Sequence, residues 1–170
     1  MVRKNINFST GYVGLAGRPN VGKSSLMNQA IGTQVSIVTK RKQTTRSPVL
    51  GVFSSPDCQI AFLDNPGIDF TNSLLLNKRL KKIAFSNLAH TNINIVIIEA
   101  TKLLADDRKI LQNMPDDIPL IIVLNKVDKI RTSHQKEAMY KMVTDLEKFK
   151  PVEIIPISVK KKYQIDILLE

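Results

Sequence analysis

The chain has very little cysteine, no tryptophan and few aromatic residues of any kind. Among its 170 residues there is one cysteine, Cys58, and the aromatic fraction is 5%. A single cysteine forms no intrachain disulfide, which excludes a disulfide-stapled secreted scaffold and a cysteine-rich zinc module. We therefore expect a cytoplasmic protein in a reducing environment.

Long hydrophobic runs are also missing. The longest apolar stretches, Ile118 to Leu124 and Ile95 to Ile98, are far shorter than the roughly 20 residues that a membrane-spanning helix needs. The basic start at Arg3 and Lys4 is followed by polar residues rather than an apolar segment, so no signal peptide is predicted. We expect a chain without a transmembrane segment.

Acidic residues are too few to balance the basic ones. The sequence has 25 Lys and Arg against 15 Asp and Glu, which gives a formal net charge of +10. Such an excess attracts anions: nucleotides, RNA, or acidic lipid at the inner surface of the cell membrane. Three basic clusters stand out, and a solvated face explains each as well as a binding patch does. They are Lys40, Arg41, Lys42 and Arg46; Lys78, Arg79, Lys81 and Lys82; and Lys160, Lys161 and Lys162.

In other respects the composition is ordinary. The apolar fraction is 43% and the charged fraction 24%, which are typical of globular proteins and unlike disordered or fibrous chains. The length suits one domain, and no Pro/Gly/Ser-rich linker divides the sequence. We expect residues 1–170 to form a single domain.

Apolar and amphipathic segments alternate along the chain. A tight turn at residues 54–57 predicts an antiparallel hairpin, whereas the later strands are separated by helical patterns and should pair in parallel. The predicted strands are 12–16, 49–53, 59–63, 93–98, 120–124 and 152–157, and the predicted helices are near 24–31, 75–84, 106–113, 135–146 and from 164. The fold class is therefore α/β: a mostly parallel six-stranded sheet with one antiparallel strand and helices on both faces.

A glycine-bounded loop between the first strand and the first helix carries the strongest motif. Residues 17–24 read G-R-P-N-V-G-K-S and match the phosphate-binding loop G-x-x-x-x-G-K-[ST]. Its backbone N–H groups and the helix N-terminus attract phosphate oxygens, Lys23 reaches the β- and γ-phosphates, and Ser24 can ligate Mg²⁺. ATP and GTP are both open at this point. The predicted nucleotide contacts are Gly17, Arg18, Pro19, Asn20, Val21, Gly22, Lys23, Ser24 and Ser25.

The sequence N-K-V-D at Asn125, Lys126, Val127 and Asp128 follows the buried strand 120–124. Ligands bind at the carboxyl ends of strands in an open α/β sheet. An aspartate there accepts hydrogen bonds from guanine N1–H and the 2-amino group together. Adenine offers neither donor and would leave the carboxylate unpaired. In isolation the tetrapeptide is equally typical of a capped helix start, but its place after a phosphate loop favours guanine recognition.

Residues 64–67, D-N-P-G, end the strand expected beside the phosphate loop. Asp64 can reach the Mg²⁺ shell through water, and Gly67 offers a backbone N–H to a γ-phosphate. A plain turn is the competing interpretation, and Asn65 and Pro66 complete the predicted contact segment. Within the basic segment 33–47 we choose Thr45 as the hydroxyl that closes over Mg²⁺, with Thr44 as the alternative. Segments 33–47 and 67–76 are the predicted switches.

Taken together, the motifs resemble those of the translation-factor-related small GTPases, and among them the Era family of ribosome-assembly GTPases. The resemblance runs from about Gly11 to the end of the chain and includes the segments 17–24, 41–46, 64–67, 125–128 and 156–160. The tract Gln43-Thr44-Thr45-Arg46 separates Era from the related Der and MnmE, which are the alternative. The resemblance implies a Ras-like P-loop GTPase domain that hydrolyses GTP slowly as a molecular switch in assembly of the small ribosomal subunit.

The resemblance also assigns residues that the motifs alone do not. Ser158, Val159 and Lys160 correspond to the loop whose backbone N–H meets the guanine oxygen, and Val159 replaces the usual alanine, which keeps the N–H and adds bulk. Asn65 replaces the usual threonine of D-T-P-G. We expect little effect from this change, because that side chain need not touch the nucleotide.

Catalysis needs a separate argument because Ile68 stands where Ras-type GTPases place a water-orienting glutamine. The resemblance implies that Asn20 helps to hold a K⁺ ion, which supplies positive charge in place of an arginine finger, so K⁺ should stimulate hydrolysis. The predicted catalytic residues are Lys23, Thr45, Gly67 and Asn20. The predicted metal ligands are Ser24, Thr45 and, through water, Asp64 for Mg²⁺, with Asn20 for K⁺.

Era proteins also carry a C-terminal KH domain that binds RNA, and the 170 residues end before such a domain. We therefore expect ribosomal RNA and ribosome precursors to be partners of full-length relatives, and RNA binding by these residues alone to be weak. A module that binds nucleotide or RNA with negligible turnover is the remaining alternative.

Overall fold

The computed structural model describes residues 8–32, 49–70 and 75–170. These residues form one six-stranded sheet with the strand order β2-β3-β1-β4-β5-β6. The strands are β1 (Ser9–Ala16), β2 (Val49–Ser54), β3 (Cys58–Asp64), β4 (Ile93–Glu99), β5 (Leu120–Asn125) and β6 (Glu153–Pro156). The helices are α1 (Lys23–Ile31), α2 (Leu75–Leu88), α3 (Ala105–Gln112), α4 (Ser133–Glu147) and α5 (Ile165–Leu169). The predicted alternation of strands and helices is confirmed.

Among the described strands, only β2 runs antiparallel to its neighbour. It pairs with β3 across the hairpin, from Val49 opposite Asp64 to Ser54 opposite Gln59. The other four neighbouring pairs are parallel. The predicted fold class, including the single antiparallel strand, is confirmed.

Two apolar layers cover the two faces of the sheet. Successive strand residues point to opposite faces, so Ile97 packs with residues of α1 and α5, while Val96 and Ile98 pack with residues of α2, α3 and α4. All three isoleucine and valine side chains are fully buried. The helices therefore lie on both faces of the sheet, as predicted.

Some element boundaries differ from those predicted. The helix α4 begins at Ser133, two residues before the predicted start, because Thr132 caps it. The Thr132 hydroxyl accepts the Gln135 N–H (3.2 Å), and the Gln135 side chain accepts the Thr132 N–H (3.1 Å). This reciprocal capping box satisfies two backbone donors at the helix start.

The loops that carry the sequence motifs gather at one edge of the sheet. Because β1, β3, β5 and β6 are mutually parallel through their neighbours, their carboxyl ends lie on the same side. The segments 17–22, 64–68, 125–128 and 157–160 follow directly from these ends. Of the helices in the described ranges, none is long and apolar enough to cross a membrane.

Candidate guanine-nucleotide site

The phosphate loop turns sharply between β1 and α1. Gly17 and Gly22 have φ values of 146° and 109°, and Asn20 lies in the left-handed region at 63°. A Cβ on Gly17 would lie 2.5 Å from the Ile97 carbonyl oxygen, so a side chain has no room there. Glycine is the residue that adopts these angles without strain, and the loop can therefore curl over the N-terminus of α1.

Lys23 is held beneath this loop. Its side chain is buried, at 7% exposure, and its ammonium donates to the carbonyl oxygens of Gly17 (3.2 Å) and Arg18 (3.0 Å). Burial lowers the pKa of Lys23 to about 8, against the raising effect of the nearby Asp64 carboxylate. The two groups that accept from this ammonium are neutral carbonyl oxygens, and a bound phosphate would place a negatively charged acceptor beside it.

A hydroxyl and a buried carboxylate meet beside the loop. Ser24 donates its hydroxyl hydrogen to Asp64 Oδ2 at 2.5 Å. Asp64 is 2% exposed, and its other oxygen, Oδ1, is buried without a hydrogen-bond partner among the described residues. Burial raises the pKa of Asp64 above its ordinary value.

This donor set fits Mg²⁺. The described ranges contain no group of three or more His, Cys, Asp or Glu side chains that could hold a metal ion by themselves. Mg²⁺ is usually held by one or two protein oxygens together with water and substrate phosphates. The Ser24 hydroxyl and the unpaired Asp64 oxygen are oxygens of this kind.

The segment after Asp64 packs against the phosphate loop. The Ile68 N–H donates to the Gly17 carbonyl oxygen (3.1 Å), and a Cβ on Gly67 would lie 2.9 Å from Pro19 Cα. The Ile68 side chain is 1% exposed and packs with the core beneath α2, α3 and α4. Its side chain therefore faces the core.

Asn125 joins three loops with one side chain. This residue is 3% exposed. Its Nδ2 donates to the Val21 carbonyl oxygen (2.8 Å), and its Oδ1 accepts the N–H groups of Lys126 (2.7 Å) and Val159 (3.2 Å). The phosphate loop, the 125–128 loop and the 158–160 loop are thus tied together.

Asp128 is oriented by Ser158. The Ser158 hydroxyl donates to Asp128 Oδ1 (2.5 Å), and Ser158 itself is 1% exposed. This hydrogen bond, with a smaller contribution from the charge of Lys160, lowers the pKa of the Asp128 carboxyl. Asp128 therefore stays ionised near neutral pH and can only accept hydrogen bonds.

The Lys126 side chain connects the 125–128 loop to the phosphate loop and to the end of β4. Its ammonium donates to the Asn20 carbonyl oxygen (2.8 Å) and to Glu99 Oε2 (3.3 Å). Glu99 also accepts from Lys129 (2.9 Å). Sequence reasoning missed Glu99, although its position as the last residue of β4 places it at the same edge as the motifs.

An acidic pair at the start of α3 was also missed. Asp107 is fully buried and accepts Arg18 Nε (2.7 Å) and the Leu104 N–H (2.9 Å). Its neighbour Asp106 accepts the Phe70 N–H (3.1 Å). The phosphate loop and the segment after Gly67 are therefore both attached to one helix end, and the adjacent acids in the sequence were the available signal.

The structure brings most of the predicted residues to one edge of the sheet. Four of the sequence predictions fall outside the described residues and stay predictions: Thr44 and Thr45, the basic cluster at 40–46, the switch 33–47, and residues 71–74 of the switch 67–76. The residues that meet at the edge are Gly17 to Ser25, Asp64 to Gly67, Asn125, Lys126, Asp128, Ser158, Val159 and Lys160.

A mostly parallel α/β sheet with a phosphate loop after its first strand and an Asn-Lys-x-Asp loop after its fifth is typical of the class of P-loop GTPases. The sequence profile of the family described as "50S ribosome-binding GTPase" matches residues 12–126. The chain therefore belongs to this GTPase family.

Curated proteins similar to this chain are Era GTPases. The GTPase Era of Vibrio vulnificus (strain YJ016) is 32% identical over 163 residues, covering 95% of this chain and 50% of that protein. The chain thus spans about half the length of the curated relatives it matches. The tract at residues 43–46 predicted Era over Der and MnmE, and this resemblance is confirmed.

Two solved structures give the same result. Era in complex with MgGDPNP and nucleotides 1506–1542 of 16S ribosomal RNA is 36% identical with a TM-score of 0.80, over 95% of this chain and 55% of that one. An Era variant from Aquifex aeolicus bound to GDP·AlF4⁻ is 36% identical with a TM-score of 0.78, over 94% of this chain and 55% of that one.

Proposed function

We propose that this chain binds GTP together with Mg²⁺ and hydrolyses it to GDP and phosphate as an Era-type molecular switch. The observation that carries the proposal is the brace at Asn125, which joins the phosphate loop to the loop that holds Asp128. A phosphate site and a guanine-reading carboxylate tied together suit one guanine nucleotide. The relatives bound to MgGDPNP and to GDP·AlF4⁻ support the same ligand and metal.

Each group at the edge has a role in this proposal. Lys23 and the loop N–H groups hold the β- and γ-phosphates and stabilise negative charge there during transfer. Ser24, Thr45 and, through water, Asp64 would hold Mg²⁺, which would supply positive charge between the phosphates. Gly67 offers its N–H to the γ-phosphate, and Asp128, Ser158 and Val159 select guanine.

Because Ile68 packs into the core, another group must supply charge or orient water. We propose that Asn20 holds K⁺ near the phosphates and that turnover is slow without it. Exchanging KCl for NaCl at equal ionic strength should slow hydrolysis and leave nucleotide affinity unchanged, since only transition-state stabilisation speeds the reaction. Equal rates in the two salts would remove this role from Asn20.

A phosphate-release assay tests the proposed activity. The chain should release phosphate over many turnovers, and Lys23→Ala should abolish release. Lys136→Ala, which removes an exposed lysine of α4, is the matched control and should hydrolyse GTP at the normal rate. Tight GTP binding with no release in KCl would instead support the binding module without turnover.

By similarity to the Era complex with 16S ribosomal RNA, the proposed setting is small-subunit assembly in the cytoplasm. A second proposed contact is peripheral binding to the acidic inner membrane surface, which the chain's net charge of +10 favours. A sedimentation assay with anionic and neutral vesicles tests that contact, and equal binding to both would contradict it.

A further inference from the structure

Asn65 is a fully buried amide beside the proposed magnesium ligand Asp64. Its Nδ2 donates to the carbonyl oxygens of Leu15 (3.2 Å) and Leu63 (3.4 Å). Both of these groups can only accept, so the amide nitrogen must face them. The side-chain oxygen of Asn65 is consequently directed the opposite way.

That oxygen meets a second amide on α2. Asn65 Oδ1 accepts from Asn87 Nδ2 at 2.9 Å, and Asn87 lies in the last turn of α2, partly buried. One side chain therefore links the end of β1, the end of β3 and the helix α2.

The Asn65 side chain connects the two segments that flank the phosphate site, the one leading into Gly17 and the one leading into Gly67. Leu15 comes two residues before Gly17, where the phosphate loop begins, and Asn65 comes two residues before Gly67. The same two segments meet again where the Ile68 N–H bonds to the Gly17 carbonyl oxygen. The position of the Gly67 N–H relative to the phosphate loop thus depends on how Asn65 is held.

A threonine at position 65 could not make this set of bonds. It has a single, shorter donor, whereas Asn65 donates to two carbonyl groups and accepts from Asn87. We expected this departure to have little effect because the side chain need not touch the nucleotide, but the bonds of Asn65 to two backbone carbonyls and to Asn87 give it a structural connection to the site. Removing Asn87 would leave a buried amide oxygen unpaired, which is costly in a dry environment.

We propose that Asn65 and Asn87 are a positioning pair that sets how strongly the site prefers GTP over GDP. The pair seats the segment Asp64 to Gly67 on α2, so that the Gly67 N–H and the Asp64 carboxylate are held where a γ-phosphate and its Mg²⁺ need them. Neither side chain touches the nucleotide. The inference rests on the proposed function, because it concerns the γ-phosphate side of the same site.

The test compares affinities for GDP and for the non-hydrolysable analogue GDPNP in Asn87→Ala, Asn65→Thr and the double variant, with Mg²⁺ and KCl present. Each single variant should lose about fivefold or more in GDPNP affinity, in the range of typical coupling energies, while GDP affinity changes by less than about twofold. Since both changes break one link, the double variant should lose little more than the worse single variant. The kcat for GTP should fall in parallel.

Asn113→Ala is the matched control, because Asn113 is an exposed amide whose side chain donates to a carbonyl oxygen of α3, that of Lys109 (2.8 Å). It should leave the ratio of GDPNP to GDP affinity unchanged. If Asn87→Ala does not fold, Asn65→Thr gives the same readout, because threonine is the usual residue at this position in the Era family.

Two failures are distinguishable. Equal loss of GDP and GDPNP affinity, or a lowered Tm with an unchanged affinity ratio, would make the pair merely structural and overturn the inference while the proposed function stands. A wild-type chain that binds neither nucleotide would overturn the proposed function and this inference together.

Discussion

In the proposed site the base preference rests on Asp128, whose carboxylate accepts a hydrogen bond from Ser158 and can only accept hydrogen bonds. Replacing it by asparagine introduces an amide that suits the 2-oxo group of xanthine better than the 2-amino group of guanine. We predict that Asp128→Asn weakens GTP binding and improves XTP binding. A competition titration measures this, and an unchanged preference for GTP would contradict the assignment of Asp128.

We predict that Lys23 makes nucleotide binding depend on pH. Burial lowers its pKa to about 8, and phosphate oxyanions beside the ammonium would raise that pKa. Between about pH 7.5 and 8.5, binding of GDP should therefore take up a fraction of a proton, and GDP affinity should fall as the pH rises through this range.

Calorimetry in two buffers of different ionisation enthalpy measures that proton uptake. Lys23→Arg is the control, since arginine stays protonated throughout and the nucleotide's own titration is the same in both proteins. The same uptake by wild type and variant would show that Lys23 is not its source.

At the scale of elements, α3 anchors the phosphate loop through an ion pair whose acid is fully buried and whose arginine is largely buried. Asp107 is fully buried and Arg18 is 14% exposed. Because Asp107→Asn would leave the largely buried Arg18 guanidinium without its counter-charge, we expect it to lower the free energy of unfolding by about 3 kcal/mol. Urea unfolding measures the change.

The exposed pair between Arg108 and Asp145, with side chains 36% and 54% exposed, is the comparison. Solvent screens such a pair, so Asp145→Asn should lower the free energy of unfolding much less than Asp107→Asn does. Similar losses at Asp107 and Asp145 would mean that the burial of the Arg18 contact does not matter to stability.

The elements and loops that follow from local pattern were predictable from the sequence. The phosphate loop, the hairpin and the N-K-V-D loop each depend on neighbouring residues, and parallel strands bring their carboxyl ends to one edge. The bonds between loops were not predictable. Asn87 lies 22 residues from Asn65 and Asp107 lies 89 residues from Arg18, and no periodicity specifies which polar side chains at such separations will meet. Such partners emerge only from packing in three dimensions.

At the scale of the whole molecule, part of the net positive charge lies on an exposed face of α2. Lys78, Arg79 and Lys82 are exposed, recur at helical spacing and form no ion pair within the described ranges. The sequence of α2 contains no acidic residue. Phosphate groups of RNA are a suitable partner for this face, but charge alone does not distinguish one base sequence from another.

RNA binding by this chain should therefore be weak, unspecific and strongly salt-dependent. The logarithm of affinity should fall by about 0.7 per phosphate contact per log unit of salt for single strands. Titration at low and near-physiological salt compares a pyrimidine-rich oligonucleotide resembling the 3′ end of small-subunit ribosomal RNA with a scrambled one. Tight, selective binding at the higher salt would locate a sequence-reading surface within these residues.

The three hydrogen bonds of Asn125 hold the phosphate loop and the proposed guanine-binding loops at a defined spacing. A guanine base and a pyrophosphate bound as separate fragments would each bind weakly, and joining them through ribose multiplies their affinities only when the spacing of the two pockets matches the linker. Val21 and Val159 are both hydrogen-bonded to one buried amide, which restricts changes in the spacing between the two proposed pockets. We therefore expect the site to discriminate ligands by the distance between base and phosphates, in addition to the identity of either end.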